Sequence, residues 1–287
     1  MTEVVLDGLR FPEGPRWRDG QLFFSDMHDD AVKRLDPETG ECEVVAALSH
    51  PSGLGWLPDG RMLIVSMEDQ RVMRLEADGS LVVHADLSGI ATANANDMVV
   101  DPSGRAYVGN FGSQPDPDTW EGFQLELAAL AQVEPDGSVR EAAAEKLAFP
   151  NGMVITPGGR TLIVAETFAM RLSAFGIEAD GSLAGHRIWA AVHGMLPDGI
   201  CLDAEGCVWV ASARDDGTVL RVREGGEVVA EVAVQPDRVP YACMLGGADG
   251  RSLFVCTSKS AVANECRAAA NASIEVARVD VPSAGLP

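Results

Sequence analysis

Positive charge is what this chain has least of: 22 Lys and Arg stand against 43 Asp and Glu in 287 residues, a net charge of −21. Phosphate backbones and anionic bilayers are bound through Lys and Arg surfaces, so neither nucleic acid nor a membrane is expected as a partner. No run of 18 apolar residues occurs, and MTEVVLDGLR has no basic segment leading into an apolar one, which predicts a cytoplasmic protein. The cysteines, at 42, 201, 207, 243, 256 and 266, form no CxxC pair, so buried thiols are expected rather than a disulfide scaffold. Cys201 and Cys207 flank one turn and could face each other. The absence of HxH and HExxH disfavours a histidine-rich zinc site. Without GxSxG or GxxxxGK there is no support for a serine hydrolase or a phosphate-cradling loop, and without an EF-hand loop none for a calcium buffer. What is abundant is apolar material, 46% of residues, enough for a core and too much for a disordered chain.

That apolar material is distributed with a period. A glycine turn followed by a short β-rich run occurs as DGQLFFSD, DGRMLIVS, SGRAYVGN, GGRTLIVA, EGCVWVAS and DGRSLFVC, with turn glycines at 20, 60, 104, 159, 206 and 250. Each run leads into a further strand pattern, such as VKRLDPETG or RVMRLEADGS, and no long amphipathic helix intervenes. Units of 40 to 55 residues with about four short strands each predict an all-β, six-bladed β-propeller spanning residues 1–287 as a single domain. The sixth unit ends at IEVARVDVP without an outer strand, so the N-terminal stretch TEVVLDGLR is expected to complete the last blade and close the ring. Residues 111–130 and 258–273 interrupt the pattern as long loops.

Seven to nine residues before each turn glycine lie FPEGPRW, HPSGLGW, NANDMVV, FPNGMVI, LPDGICL and VPYACML. They put Glu13, Ser52, Asn96, Asn151, Asp198 and Tyr241 in one repeat slot, at the start of the innermost strand beside the central channel. Taken singly, Asp or Asn after proline is ordinary turn chemistry. As a ring, the residues converge on the axis. Glu is not a favoured turn residue, and two carboxylates in a channel mouth repel unless a cation neutralises them. An oxygen-only set of Glu, Asp and Asn suits one divalent metal ion, Ca2+ foremost, with Mg2+, Mn2+, Zn2+ or Fe2+ left open. Of the histidines, His50 beside the slot and His28 after the first blade's SD fall near this mouth.

These motifs, FPEGPRW, NDMVVDPSGRAYVGN, FPNGMVIT and PDGICLDAEGCVWVA in that order, resemble the senescence marker protein, regucalcin and gluconolactonase family across essentially the whole chain. The resemblance implies Glu13, Asn151 and Asp198 as metal ligands and Asn96 as a contact to substrate or catalytic water. It further implies hydrolysis of a small lactone, with Asp198 and Asn96 catalytic and Asp198 a candidate general base. Sugar lactonases of this kind carry arginine two positions before the Asn96 equivalent. Asn94 stands there, which sets gluconolactone apart as a substrate. Asn94, Asn96 and His50 are the expected substrate contacts, together with Trp120 and Glu121 on the 111–130 insertion, where Phe123 would help form a lid. The partner is thus a small-molecule lactone, and a monomer is expected for a closed propeller. Alternatives are a phosphotriesterase- or arylesterase-like hydrolase, a calcium-binding regulatory protein, and an interaction platform, the last disfavoured by carboxylates at the axis.

Overall fold

The structure, a computed structural model, describes residues 1–119, 123–214 and 217–285. The chain begins with β1 (Glu3–Leu9) and then builds six sheets in turn. Blade one is β2 (Pro12–Arg18), β3 (Gln21–Asp26), β4 (Ala31–Leu35) and β5 (Cys42–Ala47). Blade two is β6 (Pro51–Trp56), β7 (Met62–Ser66), β8 (Arg71–Leu75) and β9 (Leu81–Asp86). Blade three is β10 (Ala95–Val100), β11 (Ala106–Asn110), β12 (Ala131–Val133) and β13 (Val139–Glu141). Blade four is β14 (Pro150–Ile155), β15 (Thr161–Glu166), β16 (Arg171–Ile177) and β17 (Leu183–Ala191). Blade five is β18 (Pro197–Leu202), β19 (Val208–Ser212), β20 (Thr218–Val222) and β21 (Val228–Ala233). Blade six is β22 (Val239–Gly246), β23 (Ser252–Ser258) and β24 (Ala272–Arg278), and β1 adds to it as the outer strand.

The six-bladed propeller and its closure agree with the sequence. β1 runs antiparallel to β24, with Glu3 opposite Val276 and Leu9 opposite Ala272. Joining the two ends of the chain in one sheet leaves no open seam in the ring. The core lies between blades rather than in one centre. Trp17 of blade one stacks on Phe254 of blade six with centroids 5.4 Å apart, and Leu63, Met98 and Val108 fill the layer between blades two and three. The thiols are buried apart from Cys42, and none is bonded to another. Cys201 does not face Cys207 across their turn. Its Sγ lies 3.8 Å from that of Cys243 in the next blade.

Two features recur at the start of every innermost strand. The ladder to the second strand slips there in all six blades, between Glu13 and Arg16 in the first and between Pro197 and Ile200 in the fifth. A bulge of this kind re-aims the side chain beside it. The residue after the slot is glycine in four blades, because neighbouring inner strands touch backbone to backbone. A Cβ on Gly152 would stand 2.6 Å from both the Asp198 carbonyl oxygen and the Ile200 nitrogen, and one on Gly53 would stand 2.3 Å from the Met98 nitrogen.

Both interruptions of the repeat cross the face of the ring on which the inner strands begin. Within the second, α1 (Ala263–Ala269) is a short helix that the repeat pattern gave no reason to expect. Its first N–H donates to the Pro117 carbonyl, and the Asp118 carboxylate accepts from the Asn264 N–H and Nδ2 at 3.0 and 2.6 Å. The two insertions therefore latch onto each other.

Backbone crowding at the ring predicts that Gly152→Ala destabilises by about 1–3 kcal/mol, the range for overpacked sites. Gly89→Ala, where an added Cβ meets nothing within 4 Å, is the control and should be neutral or slightly stabilising. Urea denaturation of the two variants checks this, and equal midpoints would refute the contact.

Candidate active site

Directly under the latch lies a cavity of about 400 Å³ at the mouth of the central channel. The slot residues Glu13, Asn96, Asn151, Asp198 and Tyr241 line its floor. Glu13, Asn96 and Asn151 are each 7% exposed and Asp198 8%. Ser52, the sixth member, stands behind this floor and donates to the Asn96 Oδ1 at 3.4 Å.

The carboxamides are tied into one network. Asn96 Nδ2 donates to Asn151 Oδ1 at 3.1 Å, and Asn151 Nδ2 donates to Thr167 Oγ1 at 3.3 Å. Thr167 in turn donates to the Pro197 carbonyl at 2.8 Å, tying blade four to the residue before Asp198. Asn151 is thus held on both sides of its amide.

The carboxylates are not balanced in this way. Burial pushes the Glu13 carboxyl well above the usual range, and the charges of Asp198 and then Asp97 add to the rise against one opposing N–H from Gly14. Asp198 is also driven well up, first by burial and then by Asp97, with a hydrogen bond from Asn151 pulling it back. Among the described residues neither makes an ion pair, and no three His, Cys, Asp or Glu side chains converge there. The oxygen set at the floor is two carboxylates and a carboxamide.

Asp97 escaped the sequence reading. It occupies the position after the slot where four blades have glycine, is 4% exposed, and among the described residues its Oδ1 has no hydrogen-bond partner. Burial raises its carboxyl, while the Arg16 guanidinium opposes that rise. Arg16 is itself buried and donates to the Pro15 and Met98 carbonyls. The signal was present in NAND, where the glycine of FPNG and LPDG gives way to an acid.

Two residues before the slot position in five blades comes a second tier: Phe11, His50, Asn94, Phe149 and Leu196 all line the cavity. Each stands one residue before its inner strand begins, in the loop that enters the blade, and His50 and Phe149 take left-handed backbone there with φ of 42° and 60°. The tier's backbone is pinned by the ends of the second strands. Asp26 accepts from the Phe11 N–H at 2.7 Å, Glu166 from the Ala148 N–H at 2.9 Å, and Ser212 from the Leu196 N–H at 3.2 Å. Asn94 and His50 therefore do reach the cavity as expected. His50 has both ring nitrogens engaged, Nε2 with Arg267 at 2.7 Å and Nδ1 with Ser49 at 3.2 Å. His28, also in the wall, has a buried Nδ1 with no hydrogen-bond partner among the described residues. Trp120 and Glu121 lie outside the described residues. Phe123 packs against Phe168 with ring centroids 5.2 Å apart.

Sequence and fold comparisons place the chain among known proteins. The pentonolactonase XacC of Haloferax volcanii is 28% identical over 264 residues, 90% of this chain and 85% of that protein. Regucalcin of Xenopus laevis is 26% identical over 261 residues, covering 88% and 84%. The crystal structure of a calcium-binding protein, regucalcin, from Agrobacterium tumefaciens superposes with a TM-score of 0.79 at 22% identity, covering 99% of this chain and 95% of that one, which shows the shared fold. The family model described as SMP-30/Gluconolactonase/LRE-like region matches residues 11–259, a span that takes in every slot residue from Glu13 to Tyr241. This chain belongs to that family.

Proposed function

We infer that the protein is a divalent-metal-dependent hydrolase that opens the ester of a small lactone. The observation that carries this reading is the pair of buried carboxylates, Glu13 and Asp198, facing a cavity without an ion pair among the described residues. Isolated buried carboxylates are costly, and a cation between them removes both the repulsion and the desolvation penalty. Family membership and the lactonase names among the relatives supply the reaction class.

Glu13, Asn151 and Asp198 would hold the ion, and hard oxygen donors of this type suit Ca2+ first. When bound, such an ion polarises the substrate carbonyl and makes water more acidic. Asp198 takes the proton from the attacking water as its oxygen adds to the lactone carbonyl carbon. Collapse then breaks the ring C–O bond, and the same proton passes to the alkoxide to leave a hydroxy acid. Asn96 offers its carboxamide to the substrate or the water beside Asn151, and Thr167 keeps Asn151 in place. The insertions overhead exclude bulk solvent, which strengthens each of these interactions.

His28 enters as a neutral ring. Burial first, and then the charges of Arg267 and His50, lower it from 6.5 to about 4. At neutral pH it can give or take one hydrogen bond without adding charge.

Calorimetric titration with Ca2+, Mn2+ and Zn2+ should show one site per chain, lost in Glu13→Gln and in Asp198→Ala. Asp198→Ala should also lower kcat by about 10²–10⁴-fold on whichever lactone is turned over. Thr167→Val should weaken metal binding by about 10–100-fold, as loss of a ligand-orienting group does. Hydrolysis at the parental rate after both substitutions and chelation would sink the mechanism, and metal binding without hydrolysis of any lactone would replace it with a binding role.

A stability prediction follows from His28. The unfolded chain takes up a proton as pH falls through 6.5, whereas the folded chain does so only near 4, so the folded state loses stability across that window. With partial exposure allowed for, the loss is up to about 2 kcal/mol. His28→Gln should lack it. The parent-minus-variant difference in urea stability should therefore shift between pH 7.5 and pH 4.5 by that amount, and a constant difference would show that burial does not hold the ring neutral.

A further inference from the structure

We propose that the substrate of this site carries an apolar alkyl or aryl arm on its lactone ring, rather than the hydroxyl groups of a sugar-acid lactone. The inference rests on the lactone-hydrolase reading for the ring and on the second tier of the cavity for the arm.

Three phenylalanines from blades three and four form a continuous wall above Asn151. Phe111 and Phe149 stack with centroids 4.4 Å apart and planes 19° from parallel, and Phe168 meets Phe149 edge-on at 5.1 Å. All three line the cavity, Phe149 buried and the other two half-buried, so the wall is packed on one side and turned to the cavity on the other. Leu196 and Ala213 continue it into blade five.

Phe149 also has a φ of +60°. A bulky residue in the left-handed region is strained by about 1–3 kcal/mol, and such outliers gather where a side chain must be aimed. Here the strained backbone stands two residues before Asn151 and turns an aromatic ring over the floor. The Ala148 N–H bonded to Glu166 and the Thr167 N–H bonded to the Phe149 carbonyl hold it on both sides.

The polar side is short of what a polyol needs. Each ring hydroxyl taken from water requires a partner, and an unpaired one costs about as much as a lost hydrogen bond. Among the described residues no Lys or Arg lines the cavity. Gln114 already accepts from the Asn94 N–H at 3.1 Å, and His50 is engaged by Arg267 and Ser49. Above the floor the Asn94 carboxamide and the His28 ring remain, with Glu68 at the rim, its carboxylate 3.5 Å from His50 Nδ1; these can orient a lactone ring, while the phenylalanine wall gives several hydroxyls nothing to bond. An apolar arm against the phenylalanine wall gains from burial at every methylene.

The test measures kcat and KM, with the metal-loaded protein, on δ-valerolactone, δ-octalactone, δ-decalactone, δ-phenyl-δ-valerolactone and glucono-δ-lactone. Binding of the phenyl-substituted δ-lactam, an amide that resists opening, is followed separately by calorimetry. The arm-bearing lactones should exceed both δ-valerolactone and glucono-δ-lactone in kcat/KM by about 10-fold or more, in the range that apolar pockets discriminate. Phe168→Ala and Phe111→Ala should erase most of that preference by raising KM for the arm-bearing rings with kcat retained, and should weaken lactam binding in parallel. Equal or better use of glucono-δ-lactone, or a preference unmoved by both substitutions, would overturn the apolar-arm assignment while leaving the hydrolase intact. Lactam binding that depends on Phe168 and Phe111, with no lactone opened, would retain the assignment and overturn the hydrolase instead.

Discussion

The structure depends on how closely the six inner strands approach around the axis. At Gly53, Gly152 and Gly199 the neighbouring blade's backbone, or an alanine in it, occupies the space where a side chain would begin. In those blades there is no room for a Cβ on the residue after the slot, and the chain there serves only as contact surface. The slot residue is displaced toward the channel by the bulge that accompanies that contact. Convergence of Glu13, Asn96, Asn151 and Asp198 is thus a packing consequence repeated blade by blade, and no single loop has to be folded to make the site. Rigid placement of this kind is what a charged or ligating cluster needs, since its groups cannot relax away from one another.

The same geometry sets the electrostatic problem. Glu13 and Asp198 are driven toward each other and out of water by the ring, and Asp97 adds a third buried carboxyl behind them, restrained by Arg16. Arg16 donates to two backbone carbonyls, and its charge acts on Asp97 more than on Glu13, so it offsets the floor only weakly. A ring that crowds acids at one end and places its buried guanidinium below them leaves a demand for positive charge at the cavity floor. The fold would tolerate that demand poorly unless function required it, because replacing such acids by apolar residues is usually no worse for stability.

The slot and the blade count were legible in the sequence because a propeller repeats its backbone contacts, and repeated contacts leave repeated residues: PEG, PSG, PNG and PDG are one packing solution written four times. The closing strand was legible for the complementary reason, that the last unit lacked one. What a period cannot show is the residue that departs from it for reasons in another blade. Asp97 breaks the glycine of the repeat, and its counterpart is the Arg16 charge, 81 positions earlier in another blade. His28 looked no better than His50, since only three dimensions reveal that Arg267 of the sixth blade claims the His50 ring and leaves the His28 Nδ1 alone. The meeting of Asp118 with Asn264 spans 146 positions between two segments that had in common only their failure to repeat.

Two tiers, one at the start of the inner strands and one just before them, answer to different constraints. The first is fixed by ring geometry and is nearly uniform in kind, oxygen donors in five blades and a tyrosine in the sixth. The second, two residues earlier in the chain, varies more: Phe11, Phe149 and Leu196 are apolar, whereas His50 and Asn94 are polar. What they share is anchorage, because Asp26, Glu166 and Ser212 pin the backbone at or beside them from the neighbouring strand. A position whose main chain is fixed and whose side chain is unconstrained by packing can be exchanged at little cost to the fold. In the proposed hydrolase, reaction type belongs to the inner tier and choice of substrate to the outer one: the phenylalanine wall would select the substrate on which the buried carboxylates act.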